Sequence, residues 1–179
     1  VEQSRQVASV MADKSRKAMD LAMELLQGYD EAKAEQVAQM ETDVDRFEDE
    51  LGTYLVKLSS RQLSGKDSET LNTILHCIGD FERISDHARN VKEAAQEMYD
   101  KKLDFSDKAQ EELKVFERAV HDILDITMNS FIKGDLNLAR QVEPMEEVID
   151  GLSLDVKQRH VRRLRKGKCT IELGFMVSE

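Results

Sequence analysis

Apolar residues recur at three- and four-residue spacing along most of the chain, interrupted by a few short polar stretches. Val7, Val10, Met11, Ala18, Leu21, Ala22, Leu25 and Leu26 form the first stripe, which predicts an amphipathic helix over residues 7–26, ended by Gly28-Tyr29-Asp30. A second helix is predicted over residues 31–59, with Val37, Met40, Val44, Phe47, Leu51, Tyr54, Leu55 and Leu58 as its stripe. Beyond the Ser64-Gly65-Lys66-Asp67 loop, Leu71, Ile74, Ile78, Phe81 and Ala88 mark a third helix, from near residue 68 to about 98. The break from Lys101 to Asp107 precedes a fourth, over about 108–132. Lys133-Gly134-Asp135 then separates it from a fifth, over about 136–166, which carries Val142, Met145, Ile149, Leu152 and Val156. Residues 169–179 read as the opening of a sixth. Pro144 either kinks the fifth helix or marks its true start. Helices of this length joined by short turns specify an all-α antiparallel bundle.

The pattern repeats internally. Sliding the chain by 105 positions places Asp20-Leu21 on Asp125-Ile126, Met23 on Met128, Asp30 on Asp135 and Gln36-Val37 on Gln141-Val142. The same ungapped shift places Met40-Glu41 on Met145-Glu146 and Val44-Asp45 on Ile149-Asp150. Helices one and two therefore recur as four and five, and the sixth is the counterpart of the third. The expected organisation is one domain over 1–179, made of two three-helix repeats. The first covers about 7–100 and the second about 107–179, the latter truncated.

Composition supports helices over sheet: the 179 residues include one proline, eight glycines and no tryptophan. With 36 acidic against 26 basic residues the formal charge is -10, which disfavours nucleic acid as a partner and suits cations or basic partners. Cys77 and Cys169 lie far apart inside helical patterns and read as buried free thiols of a reducing compartment. No apolar run reaches the roughly 18 residues of a membrane span. The start at Val1 suggests a piece of a longer polypeptide, with any membrane segment outside it.

The candidate chemistry lies in three Glu-x-x-x-Asp pairs: Glu41 with Asp45, Glu82 with Asp86, and Glu146 with Asp150. The spacing sets both carboxylates of a pair on one helix face about a turn apart. Each pair sits on the shoulder of its apolar stripe, and two of them are repeat equivalents. Such groups are either solvated, paired with a base, or gathered around a cation, because a buried unpaired charge is too costly. Singly, each pair is an ordinary solvated or ion-paired helix face. As a set they point to hard divalent or ferric cations. Glu48, one further turn along the Glu41 row, extends the cluster. His76 and His87 lie nearby without the Glu-x-x-His spacing of a ferritin-like di-iron site.

From Lys157 to Lys168 the chain carries seven bases and no acid. This run reads equally as a solvated helix end suited to the helix dipole or as a patch for anionic lipid or an acidic partner. No nucleophile stands beside a base, and there is no Gly-rich phosphate loop, so an enzyme has little to stand on.

At Glu82-Arg83-Ile84-Ser85-Asp86, followed by His87 and Asn90 and joined by Glu41-x-x-x-Asp45 and Glu146-x-x-x-Asp150, the sequence resembles the PhoU family. The resemblance implies two three-helix repeats that act on phosphate uptake without enzymatic activity. It also implies clusters of iron, zinc or another metal held by Glu41, Asp45, Glu82, Asp86, Glu146 and Asp150. Within the family, the wording of the motif is most similar to the PhoU-like C-terminal domain of bacterial sodium/phosphate cotransporters. That implies a regulatory domain at the cytoplasmic side of the plasma membrane, partnered by the transmembrane part of the same polypeptide. The alternative is a free-standing PhoU-type adaptor linking a phosphate importer to a sensor kinase. A groove left open by the truncated sixth helix would favour homo-oligomers.

Overall fold

The structure is a computed structural model and describes residues 1–167. The described residues contain no strand; the helices are α1 (Glu2–Leu25), α2 (Glu31–Ser59), α3 (Gly65–Lys101), α4 (Asp107–Lys133), α5 (Leu136–Ala139) and α6 (Val142–Arg165). The backbone contacts divide the chain into two compact units, Val1–Glu93 and Ala94 onward, so the division falls inside α3. The sixth predicted helix lies outside the described residues.

The helix bounds follow from local chemistry. Asp30 accepts a hydrogen bond from the Lys33 amide at 3.0 Å, supplying the acceptor that the first turn of α2 lacks. Its repeat equivalent, Asp135, caps α5 in the same way through the amides of Asn137 and Leu138. Ser64 accepts from the Asp67 amide at 3.1 Å and donates to the Asp67 carboxylate at 2.7 Å, which starts α3 three residues before the apolar pattern does. Gly134 closes α4 at φ 65°, a left-handed conformation that glycine adopts without strain.

The first unit is a three-helix bundle with a regular seam. Ser4, Ala8, Met11, Ser15, Ala18, Ala22 and Leu25 of α1 are all buried and follow one another at alternating steps of four and three. In α2, Ala34, Val37, Val44, Leu51 and Leu55 keep the same rhythm, as do Leu71, Ile74, Ile78, Phe81, Ser85 and Ala88 in α3. This is the knobs-into-holes pattern of gently crossing helices. The buried face of α1 is rotated from the stripe predicted above: Val10 is 48% exposed, while serines and alanines fill the seam. The third-helix stripe stands as predicted. Small seam residues let α1 approach closely, and Ser15 uses the approach. Its hydroxyl lies 2.9 Å from the Met11 carbonyl of its own helix and 2.8 Å from the Phe81 carbonyl of α3, fully buried. Lys14 adds a tie to α2, 2.6 Å from the Asp43 carboxylate, which that hydrogen bond holds below its usual pKa.

In the second unit α4 and α6 pack together, with Met128 and His160 buried. Arg163 donates to Glu112 of α4 at 2.7 Å, and Arg159 reaches the same carboxylate at 3.5 Å. Burial, aided by Arg163, pulls His160 below the usual histidine pKa, so it favours the neutral form. The predicted fifth helix is in fact two, α5 and α6, broken at Arg140-Gln141. Pro144 is the reason. Deep in a continuous helix its ring would clash with the Arg140 carbonyl and deny it a donor, whereas in the first turn of α6 no amide is required. Gln39 at the equivalent position lets α2 run unbroken.

Ser15→Ala should lower unfolding stability by about 1 kcal/mol, because a buried carbonyl loses its helix-to-helix donor while little volume changes. Denaturant titration followed by circular dichroism measures it, and an unchanged midpoint would mean that the Phe81 carbonyl finds another partner.

Candidate functional site

The seam of α2 explains why carboxylates lie at its edge. Continuing the rhythm of Ala34 and Val37, the next seam positions are Glu41, Val44, Glu48 and Leu51, so two glutamates fall on the row facing α3. Glu41 keeps only 14% of its side chain exposed. A carboxylate that poorly hydrated needs a counter-charge, and Arg89 of α3 supplies it at 2.5 Å. Arg89 also reaches the Asp86 carboxylate at 3.1 Å, one turn back on its own helix. One guanidinium thus joins Glu41 and Asp86 across two helices, a forked donor suited to two acceptors.

One turn further along the bundle the carboxylates outnumber the bases, and among the described residues Asp86 alone of them is paired, with Arg89. Glu82 is half-buried, and its pKa is raised above the usual glutamate value. Burial is the larger cause, followed by the negative charges of Asp86, Asp45 and Glu48. The structure therefore brings three acids of repeat one, Asp45, Glu48 and Asp86, within electrostatic reach of Glu82. Arg83, next to Glu82 in sequence, points elsewhere and lies 3.9 Å from Asp80 in an exposed pair. In repeat two, Glu146 and Asp150 are exposed on α6.

Whether this arrangement fits a metal ion is a matter of geometry. Among the described residues no three His, Cys, Asp or Glu side chains are arranged to hold one. Two of the predicted ligands, Glu41 and Asp86, already share Arg89. His76 and His87 are exposed on α3, and Cys77, a free thiol, is half-buried with its pKa raised by burial and by Asp80. As folded, the acidic face is a partly neutralised cluster whose missing counter-charge is concentrated at Glu82. Arg89 was not singled out in the sequence reading. The signal available was Asp86-x-x-Arg89, an i,i+3 pair on the helix that carries the motif.

The raised Glu82 carboxyl makes a pH prediction with a definite sign. The folded chain holds this proton more tightly than the unfolded chain does, so ionised Glu82 detracts from stability at neutral pH. That loss is recovered as the pH falls through the folded value toward the ordinary glutamate range near ~4.3. Glu82→Gln should accordingly melt at a higher temperature than the native chain at pH 7, with the gap closing in mildly acidic buffer. Equal melting curves at both pH values would show that the cluster is screened by solvent.

Among the described residues, no helix is long and apolar enough to cross a membrane. Comparison with known proteins is consistent between sequence and fold. Residues 8–95 match the family model described as the PhoU domain. Over 156 residues, 87% of this chain, the sequence is 24% identical to the phosphate-specific transport system accessory protein PhoU homolog 1 of Thermotoga maritima. The aligned part spans 66% of that relative, slightly under two thirds of its length. The crystal structure of PhoU from Pseudomonas aeruginosa shares the fold, with a TM-score of 0.89 over 98% of this chain and 84% of that one, at 20% identity. Apart from Ser4, the seam of the first unit and the Glu41 and Glu82 rows lie within residues 8–95, the segment that matches the PhoU domain model.

Proposed function

We propose that this chain is a PhoU-type adaptor, a non-enzymatic accessory component that regulates a phosphate transport system. The observation that carries the reading is the likeness, along 87% of the chain, to an accessory protein of a phosphate-specific transport system. It supports the adaptor over the cotransporter domain that the wording of the Glu82 motif suggested. In repeat one, ion pairs of Lys14 with Asp43 and of Arg89 with Glu41 tie α2 to its neighbours, which suits a rigid module that presents surfaces. Such a module acts at the cytoplasmic side of the membrane, against the transporter it controls.

The test is deletion of the encoding gene, with uptake of labelled phosphate measured in sodium-containing and sodium-free medium. Altered uptake in both media, restored by the wild-type gene, is the expected result. A change confined to sodium-containing medium would favour the cotransporter reading, and unchanged uptake in both would overturn the phosphate assignment.

The acidic face enters this function as a place where cation uptake competes with Arg89. As folded, no three carboxylates of this face are arranged to hold a metal ion, so uptake of one would require Glu82, Asp45 and Glu48 to draw together and Arg89 to release Asp86, and the ion would then supply the charge that Glu82 lacks. Arg89→Gln should therefore increase binding of iron or zinc, read by plasma mass spectrometry after dialysis, and Glu82→Ala/Asp86→Ala should decrease it. Equal metal content in all three proteins would leave the face as an ion-paired surface only.

A further inference from the structure

The charges of α6 are segregated along its length. Glu143, Glu146, Glu147 and Asp150 occupy its first half, and its last ten residues include Lys157, Arg159, Arg162, Arg163 and Arg165 with no acid from Lys157 onward. Arg159 and Arg163 are engaged with Glu112 of α4. Lys157, Arg162 and Arg165 are exposed, as are Glu143, Glu147 and Asp150. None of these six has an ion-pair partner among the described residues.

At 100° per residue, Glu147, Asp150, Leu154, Lys157, Val161 and Arg165 fall on one strip of the helix, with Glu143 a turn before them. They follow the same three- and four-residue steps that mark the buried seams of the first unit. This strip is opposite the one through Ile149, Val156 and Arg163 that meets α4. At its centre Leu154 is 58% exposed, and Val161 is 46% exposed. A seam with apolar residues in the middle, acids at one end and bases at the other is complementary to itself when reversed.

We propose that α6 is a self-association surface, on which two copies of this chain pair their α6 helices antiparallel about a two-fold axis at Leu154. Arg165 lies eleven positions after Leu154 and Glu143 eleven before it, so each Arg165 stands opposite the partner's Glu143. Arg162 and Glu147, eight after and seven before, match on one flank; Lys157 and Asp150, three after and four before, match on the other. The two-fold axis makes every pair occur twice. A parallel pairing would set acids on acids and bases on bases. An unrelated acidic partner would use only the basic half, leaving Leu154 and the acidic half without a role, whereas a second copy engages both. The segregation also agrees with the dipole of α6, acids toward its N-terminus and bases toward its C-terminus, so the unpaired chain carries it without strain.

Sedimentation velocity over a dilution series tests the pairing. The wild-type chain should show a monomer–dimer equilibrium that weakens at ~1 M salt, where screening acts within about 3 Å. Glu147→Arg alone and Arg162→Glu alone should each sediment as monomers with unchanged helical circular dichroism, since each sets like charges across the axis. An equimolar mixture of the two variants should recover the dimer, and so should the double variant Glu147→Arg/Arg162→Glu. In a Cys77→Ala/Cys169→Ala background, Leu154→Cys should oxidise to a disulfide-linked dimer, while Val148→Cys, equally exposed on another strip, should not. A wild-type chain that stays monomeric at every concentration, a dimer that survives both single reversals, or a mixture that fails to recombine would each overturn the proposal.

Discussion

The close approach of α1 to its neighbours is the constraint on which the first unit depends. Ser4, Ala8, Ser15, Ala18 and Ala22 contribute little volume to the seam, so the backbone itself comes near the partner helices. Only at that distance can the Ser15 hydroxyl reach the Phe81 carbonyl. Phe81 precedes Glu82, and the same contact fixes the height and rotation of α3 just where its carboxylates begin. The placement of the acidic rows is therefore a consequence of packing among small residues that carry no chemistry of their own.

Once α3 is positioned, the regular step of the seam brings Glu41 and Glu48 onto the row facing it. Two glutamates on a buried row would be unfavourable without compensation, and the bundle compensates them unequally. Glu41 receives Arg89, which also steadies Asp86. Among the described residues Glu48 receives no base, and burial of Glu82, reinforced by the charges of Asp86, Asp45 and Glu48, makes the Glu82 proton harder to lose. Charge balance thus varies along one face over little more than two helical turns. A surface of this kind responds to what approaches it, a proton, a cation or a basic partner, because each relieves the same local excess of negative charge.

The helical class, the third-helix stripe and the ends of α2 were legible because strong local signals agree with the tertiary fold. Asp30 caps α2, and Leu71, Ile74, Ile78 and Phe81 are large, apolar and evenly spaced. The face of α1 was misjudged because large residues were weighted over small ones. Val10 is the more hydrophobic side chain, yet Ala8 and Ser15 are buried, since the bundle selects for fit at close approach and not for transfer energy alone. The continuous fifth helix failed at Pro144, where a repeat carried by the apolar pattern was broken by a backbone rule. The acidic pairs were found, but their partner was not. Arg89 stands on the polar flank of α3, and its bond to Glu41 across 48 positions is visible only once the helices are packed.

The two repeats show how one pattern is put to different uses. Asp30 and Asp135 perform the same capping, and Val44 and Ile149 occupy the same step. At other steps the chemistry diverges: fully buried Leu55 becomes His160, unbroken Gln39 becomes helix-starting Pro144, and Glu41, enclosed beside Arg89, becomes exposed Glu146. Lys57, already exposed on α2, has Arg162 as its counterpart, and Asp49 has Leu154. Along this outward strip, the substitution of an acid by leucine converts a solvated face into one with an apolar centre. The first repeat uses two of its charged pairs, Lys14 with Asp43 and Arg89 with Glu41, to join its own helices. The second, built on the same register, turns oppositely charged halves and Leu154 toward solvent, which gives the duplicated fold one face for internal order and another for association.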